Sequence, residues 1–469
     1  MLPVLTPEEM RAVDAAAPEP VDELIRRAGA AVAREAIDLL GGTYGRRVVV
    51  VAGKGNNGND GRDAARRLRA RGARVLEIDP TDGRATLPDA DLVIDAAYGT
   101  GFRGDYVPPD PAGAPVLAVD IPSGVDGLTG RAAGGAVHAH RTVTFAALKP
   151  GLLLHPGRTL AGEVLLADIG LDVSGARAGV VQVEDVASWL PYRPVDTHKW
   201  RAAVVLVAGS PGMSGAAHLA ARSAQRAGAG MVRVASPGVE SDPALPTEAV
   251  SIALPSAGWD ATVLDEIVRA GALVIGPGLG RSAPATTAVH HVVTSAAVPV
   301  VVDGDALSAL GEQVTAIVSR REAATILTPH DGEFARLAGS PPGDDRIADA
   351  RALAATCGAI VLLKGPTTVV AHPDGRVRLS TSGDARLATA GTGDVLAGIV
   401  GALLSQGLDA FDAAAAGAWL HGRAAMEGPE RGLIASDVAD GLPAALAELD
   451  AEDLHHADDE LVDDHGDAT

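Results

Sequence analysis

The residues best placed to do chemistry are Gly391-Thr392-Gly393-Asp394, within the run from Ala388 to Gly398. Their spacing reads as a glycine-rich turn that opens a helix, with one carboxylate at the helix start. Glycine allows backbone conformations and close ligand approach that a side chain would block. The first helical turn presents free amides and the positive end of the helix dipole, a seat for phosphate. Asp394 then stands where it can take a proton from a hydroxyl facing that phosphate. A carboxylate base beside an anion hole is an arrangement for phosphoryl transfer. The plainer alternative is a helix start capped by Thr392 or Asp394.

A chain of 469 residues has room for two or three domains with proper cores. Its 47% hydrophobic and 21% charged residues are those of an ordinary soluble globular protein. An aromatic share of 3% speaks against base stacking, and a net charge of -21 repels nucleic acid and anionic membranes alike. Neither is an expected partner. Cys357 is the single cysteine, which excludes an intrachain disulfide and suits a reducing compartment. It lies just before an apolar strand and reads as a packed thiol. Met1 to Thr6 has no charged leader followed by an apolar core, and no apolar run approaches bilayer length. The expected location is the cytoplasm.

The elements that must carry these residues follow in order. Thr6-Pro7-Glu8-Glu9 announces a first helix through a capping box, and a second runs from about Val21 to Leu40, stopped by Gly41-Gly42. Val48 to Ala52 is an almost wholly β-branched run, which suits a strand buried on both faces of a parallel sheet. It leads into Gly53-Lys54-Gly55-Asn56-Asn57-Gly58-Asn59-Asp60-Gly61 and a further helix. Gly53, Gly55 and Gly58 match the dinucleotide fingerprint formally, with Glu77 or Asp79 about where a ribose-binding acid belongs. The inserted amides and carboxylate fill the phosphate position, unlike that fingerprint. A Walker loop is excluded because Lys54 is followed by Gly55. Two more strand-to-loop units, Leu92–Asp95 into Ala96–Gly104 and Val116–Asp120 into Ile121–Asp126, set polar loops at strand ends, where α/β sheets bind ligands and where oxygens can gather a hard cation. Local Asp and Ser turns are the bland reading. A strand Thr142–Phe145 precedes Lys149, either a solvated lysine or one reaching the same edge.

Gly-Asn-Asn-Gly-x-Asp-Gly, Asp-x-x-x-Gly-Thr-Gly, Val-Asp-Ile-Pro-Ser-Gly and Thr-Phe-x-x-x-Lys-Pro-Gly, in this order, resemble the NAD(P)H-hydrate epimerase domain over roughly Met1 to Leu190. That resemblance implies a Rossmann-like three-layer α/β/α fold. It implies a potassium ion on Asn57, Asp95 and Ser123. It also implies a hydrate-binding site lined by Asn56, Asn57, Gly58, Asn59 and Asp60, by Gly99, Thr100, Gly101, Phe102, Arg103, Gly104 and Asp105, and by Asp120. Asp120 and Lys149 are the implied proton-handling residues. Asn59 stands where the family usually has glycine.

Pro191 to His198 reads as a short stiff linker. Strands and helices alternate again from Lys199, with strands at Val204–Ala208, Met231–Val234, Leu273–Ile275, Val298–Val302, Ile326–Leu327 and Ile360–Leu363. Polar or glycine-rich loops follow them. Thr-Pro-His-x-Gly-Glu, His-Lys, Gly-Ser-Pro-Gly-Met-x-Gly and the terminal Gly-x-Gly-Asp make residues 199–447 similar to ADP-dependent NAD(P)H-hydrate dehydratase, of the ribokinase-like α/β superfamily. Asp331 stands where proline is more usual there, and Ala390 where glycine is. The resemblance implies that Ala216, Gly278, Leu279, Gly280, His330 and Asp394 contact the hydrate. Lys364, Gly365, Pro366, Thr367, Thr368, Gly391, Thr392 and Gly393 would contact ADP. His330 alone reads equally well as a hydrogen-bonded loop histidine.

The implied activity is repair of hydrated nicotinamide cofactors, NADHX and NADPHX. Asp394 deprotonates the ring hydroxyl, which attacks ADP's β-phosphate, and the phosphate ester departs to give NAD(P)H, AMP and phosphate. Magnesium is expected with the phosphates, and a homo-oligomer is expected. The rival readings are a small-molecule kinase with an accessory N-terminal module, and an N-terminal half that serves only as a scaffold. The acidic segment 448–469 reads as a disordered extension, and His455, His456 and His465 lack the spacing of a metal cage.

Overall fold

The computed structural model describes residues 1–132 and 134–463, with side chains through 449. The chain forms two compact units, Leu2–Ala178 and a second that begins at Gly179 and includes Met1. This division falls ahead of the expected 191–198 linker. The cause is local: the Val181 amide donates to the Leu379 carbonyl (3.0 Å), and Val186 lies in the second unit's core.

The first unit contains strands β1 (Leu2–Val4), β2 (Arg47–Ala52), β3 (Arg74–Ile78), β4 (Leu92–Ala96), β5 (Val116–Val119), β6 (Arg141–Phe145) and β7 (Glu163–Ala167). Six of them make a parallel sheet in the order β3-β2-β4-β5-β6-β7. The direction of winding reverses between β2 and β4, the position at which open α/β sheets bind ligands. Val48, Val50 and Ala52 join a core with the helices Val21–Leu40 and Asn56–Ala70, while Val49 and Val51 join another with Val93 and Val116. Burial on both faces is what the β-branched run predicts. The third layer is lighter, built from irregular segments that bring in Leu87, Tyr106, Ala114 and Val137. The first helix, Pro7–Ala16, carries the expected capping box between Thr6 and Glu9.

The second unit follows β8 (Ala178–Val180) with β9 (Ala203–Val207), β10 (Met231–Pro237), β11 (Val250–Leu254), β12 (Ala272–Ile275), β13 (Val300–Val302), β14 (Thr325–Leu327), β15 (Ile360–Leu363), β16 (Thr368–Ala371) and β17 (Val377–Ser380). Its sheet runs β17-β16-β15-β14-β13-β12-β9-β10-β11, with β9 to β15 parallel and β16 and β17 antiparallel. Helices Ser214–Arg226, Thr392–Ser405 and Ala410–Met426 share one core with the sheet, and small residues let them close in: a side chain at Gly401 would run into Val274. Loops after β9, β12, β13, β14 and β15 all leave the same end of the parallel sheet.

Cys357 is buried as expected. The last helix spans Ala435–Asp463, so it runs on into the segment read as a disordered tail, and Glu448 pairs with Arg423 at 2.9 Å. Residues 464–469, with His465, lie outside the described residues. Among those described, no helix is long and apolar enough to cross a membrane.

Candidate active sites

A cavity of about 570 Å³ opens at the switch point of the first unit. Asn56, Asn57 and Asp60 reach it from the first turns of the helix Asn56–Ala70; the sequence reads this stretch as a loop, but helix begins directly after Gly55. Gly99, Thr100, Gly101 and Phe102 line it from the loop after β4, and Asp120 and Lys149 from the loops after β5 and β6. Gly58 faces away, pressed against the Gly53 carbonyl with no room for a side chain. Asn59 instead accepts from Arg62 (3.3 Å), Arg103 donates to the Phe102 carbonyl (2.9 Å), and Gly104 and Asp105 are not among the lining residues. Glu77 pairs with Arg69 (2.5 Å) and Asp79 turns onto Thr81 (2.8 Å), so neither acid is free for a ribose.

Lys149 is fully buried, not solvated. Its ammonium donates to Asp120 Oδ1 (2.5 Å), Thr144 Oγ1 (2.8 Å) and the Phe145 carbonyl (3.1 Å). Asp120 has φ 66°, a left-handed conformation that costs a non-glycine residue energy and that recurs at functional sites. Two further carboxyls share the cavity. Burial, then the charges of Asp120, Asp63 and Asp14, push Asp60 up to about 8. Asp14, on the first helix, is raised by desolvation and by Asp120, against the pull of Lys149. The sequence reading missed Asp14 because it belongs to no loop motif.

The three residues implied for potassium are linked by contacts. Ser123 donates from Oγ to Asp95 Oδ1 (2.7 Å) and from its amide to Oδ2 (2.8 Å), and Ser123 Oγ accepts from the Tyr98 amide (2.8 Å). Adjacent Gly99 faces Asn57, whose amide oxygen and nitrogen are buried without any hydrogen-bond partner. Burial raises Asp95 to about 6 despite the hydrogen bonds from Ser123 and Ala97.

In the second unit the helix Thr392–Ser405 opens on Gly391, at φ 90°. Neither Thr392 nor Asp394 caps it: Thr392 Oγ1 donates to the carbonyls of Leu387 (2.8 Å) and Thr389 (2.9 Å), and no side-chain cap exists. The Thr392 amide turns back onto the Thr389 carbonyl (3.4 Å), no side chain caps the amides of Gly393 and Asp394, and Asp394 is free of a capping role. Burial raises Asp394 to about 7, Asp303 adds to the rise, and Lys364 opposes it. Lys364 sets its ammonium 3.0 Å from Asp303 Oδ1 and 3.5 Å from Glu333 Oε2. Burial works against that charge, but the two carboxylates outweigh it and lift the Lys364 pKa.

His330 is the N-cap of the helix Asp331–Ala338, Nδ1 accepting from the Gly332 amide (2.9 Å), and its ring is otherwise exposed. Gly278 packs against Ala216, 2.8 Å from where its β-carbon would be; buried Leu279 follows, and the Gly280 amide donates to Asp305 (2.8 Å). Gly365 adjoins Arg346, Thr367 is buried, and Thr368 is the first residue of β16 and not a loop residue. Pro366 lies between them. Arg346 and His421 went unread: His421 is buried beside the Thr392 backbone and burial drops it to about 4.

The family model described as NAD(P)H-hydrate dehydratase matches residues 204–444, and that of the YjeF-related protein N-terminus matches residues 21–81 and 76–151. The bifunctional NAD(P)H-hydrate repair enzyme of Mycobacterium leprae is 41% identical, over 84% of this chain and 86% of its own. That of Escherichia coli is 35% identical, over 89% and 88%. The crystal structure of the ADP/ATP-dependent NAD(P)H-hydrate dehydratase from Bacillus subtilis, co-crystallised with ATP and Mg2+, is 33% identical with a TM-score of 0.50, covering 57% of this chain and 97% of that one. With its Rossmann-like unit, its ribokinase-like unit and these relatives along most of its length, the chain belongs to the family of bifunctional NAD(P)H-hydrate repair enzymes.

Proposed function

We propose that the two units work as separate catalysts on one damaged cofactor. The first interconverts R- and S-NAD(P)HX at Asp120 and Lys149. The second dehydrates S-NAD(P)HX to NAD(P)H while ADP becomes AMP and phosphate. The observation that carries this reading is Asp394: a half-buried carboxyl, uncommitted to capping, at a helix start that no side chain caps.

Hydroxide is a poor leaving group. Asp394 takes the proton of the ring hydroxyl, whose oxygen attacks the β-phosphorus of ADP as the bond to AMP breaks. The uncapped amides and the Lys364 ammonium hold the charge that builds on the transferred group. The ring nitrogen lone pair then expels phosphate, and loss of a proton from the neighbouring carbon restores the double bond. Asp303 Oδ1 and Glu333 Oε2 stand 3.0 and 3.5 Å from the Lys364 ammonium, and magnesium bound with the substrate phosphates would take one or two such carboxylates. When bound, magnesium neutralises phosphate charge. In the first unit the unpartnered Asn57 amide and the buried Asp95 carboxylate fit a monovalent cation, which Asn57, Asp95 and Ser123 would hold. A potassium ion held there would offset the charge of the Asp95 carboxylate.

A small-molecule kinase remains the rival, and it would accumulate a phosphorylated alcohol. Recovery of absorbance at the reduced-nicotinamide band from mixed epimers, with ADP supplied and then withheld, separates the two. Recovery only with ADP supports the repair reading; a stable phosphate ester sinks it. The same reading places the enzyme in the cytoplasm as a homo-oligomer, the latter open to light scattering.

A further inference from the structure

Arg346 is the first residue of the helix Arg346–Cys357, which Asp345 caps through the Ala348 amide (2.9 Å). A cation in a first helical turn works against the dipole, so its place there needs a compensating partner. Asp331 supplies one: Arg346 Nη1 lies 3.0 Å from Oδ2 and Nη2 2.8 Å from Oδ1, the bidentate fork that only arginine makes. Nη2 also donates to the Lys364 carbonyl (2.9 Å), and a β-carbon at Gly365 would sit 2.9 Å from that nitrogen. On its other side the Lys364 amide donates to the Pro329 carbonyl (2.9 Å). Both backbone polar groups of Lys364 are thus tied to the Pro329–Glu333 segment, one directly and one through Arg346. That segment holds His330 on the hydrate side, while Lys364 and Gly365 begin the nucleotide side.

We propose that Arg346 is a positioning residue that couples hydrate binding to nucleotide binding, with Asp331 holding its guanidinium in register. This rests on the dehydratase reading given above. A shift of the His330 segment on hydrate binding is passed through Asp331 and Arg346 to the backbone that receives ADP.

The test is steady-state dehydration by the full chain with ADP and hydrate varied together, in Arg346→Ala, Arg346→Lys, Asp331→Ala and the charge-exchanged Asp331→Arg/Arg346→Asp. Arg346→Ala is expected to raise the KM for ADP about 5- to 150-fold, the span of ordinary coupling energies, with kcat within about twofold. The dependence of that KM on hydrate concentration should flatten. Lysine, lacking the fork, should not rescue; exposed Asp331→Ala should show a smaller rise, and the exchanged pair should recover part of the loss. An unchanged ADP KM in both Arg346→Ala and Asp331→Ala, beside an ADP-dependent wild type, overturns the coupling alone. So does a kcat loss in Arg346→Ala that tracks a lowered melting temperature, because that is mere support of the fold. A wild type that dehydrates without ADP removes the coupling together with the reading beneath it.

Discussion

Lys364 and Gly393 face each other across the dehydratase site: a β-carbon at Gly393 would lie 3.5 Å from Lys364 Nζ. An ammonium therefore stands over the first turn of a helix whose amides no side chain caps. Two sources of positive potential converge with nothing bulky between them. The proposed phosphoryl transfer calls for such a concentration of positive potential near Asp394.

Asp394→Asn is expected to lower dehydration by about two to four orders of magnitude, the usual worth of a positioned general base. Epimerisation, carried by the other unit, should stay within error. Equal loss of both activities would argue for global damage.

The pH dependence follows from the same carboxyl. Its pKa is raised to about 7, so the proton-accepting form fills as pH rises through that value. The dehydration kcat/KM should climb between pH 6 and 8 and level off above. In Asp394→Glu the limb should remain at reduced height. A flat profile in the wild type would mean that another group accepts the proton.

Removing the lysine of the first site tests stability and chemistry together. Lys149→Ala leaves Asp120 without its partner at the cavity wall, where solvent access holds the cost below the ~3–5 kcal/mol of breaking a fully buried pair. A lowered melting temperature with loss of epimerisation is expected, and Asp120→Asn should also abolish epimerisation and lower the melting temperature, because it strips the counter-charge from the fully buried Lys149 ammonium. Asp14→Asn should slow epimerisation as well, since that carboxyl opens onto the same cavity. Chiral chromatography of purified hydrate epimers reads each rate, and wild-type speed in Asp14→Asn would remove it from the site.

Potassium should raise the melting temperature relative to choline, because a ligand held only by the folded state stabilises by about 2.7 kcal/mol at a hundredfold excess over Kd. In Asn57→Ala that increment should vanish. An equal potassium effect in both proteins would place the cation elsewhere.

Much of this was legible because parallel strands announce themselves. The runs at Val48, Leu92, Val204 and Ile360 are apolar on both faces, and the loops after them carry the ligand-bearing residues. Two compact units and the loop positions follow from that. Strands Val250–Leu254, Thr368–Ala371 and Val377–Ser380 escaped notice: the first is a half-exposed edge strand, and the latter two form an antiparallel pair whose polar residues look like loop. Lys149 could not be placed inside or outside, because its burial depends on Asp120 and Thr144, five to twenty-nine positions away. Asp14 and Arg346 sit on helices with no motif about them, and only the fold brings them to a cavity edge or a loop backbone. The boundary at Gly179 was hidden for a like reason, since Val181 and Val186 are claimed by the second unit's core.

The central claim is that the substrate's own oxygen is phosphorylated before it leaves, under the action of Asp394. Hydrate carrying 18O in its ring hydroxyl, converted by the wild-type enzyme with unlabelled ADP, tests this directly. Mass spectrometry of the released phosphate should find the label there, one atom per NAD(P)H formed. Label recovered in water, with unlabelled phosphate, would contradict it.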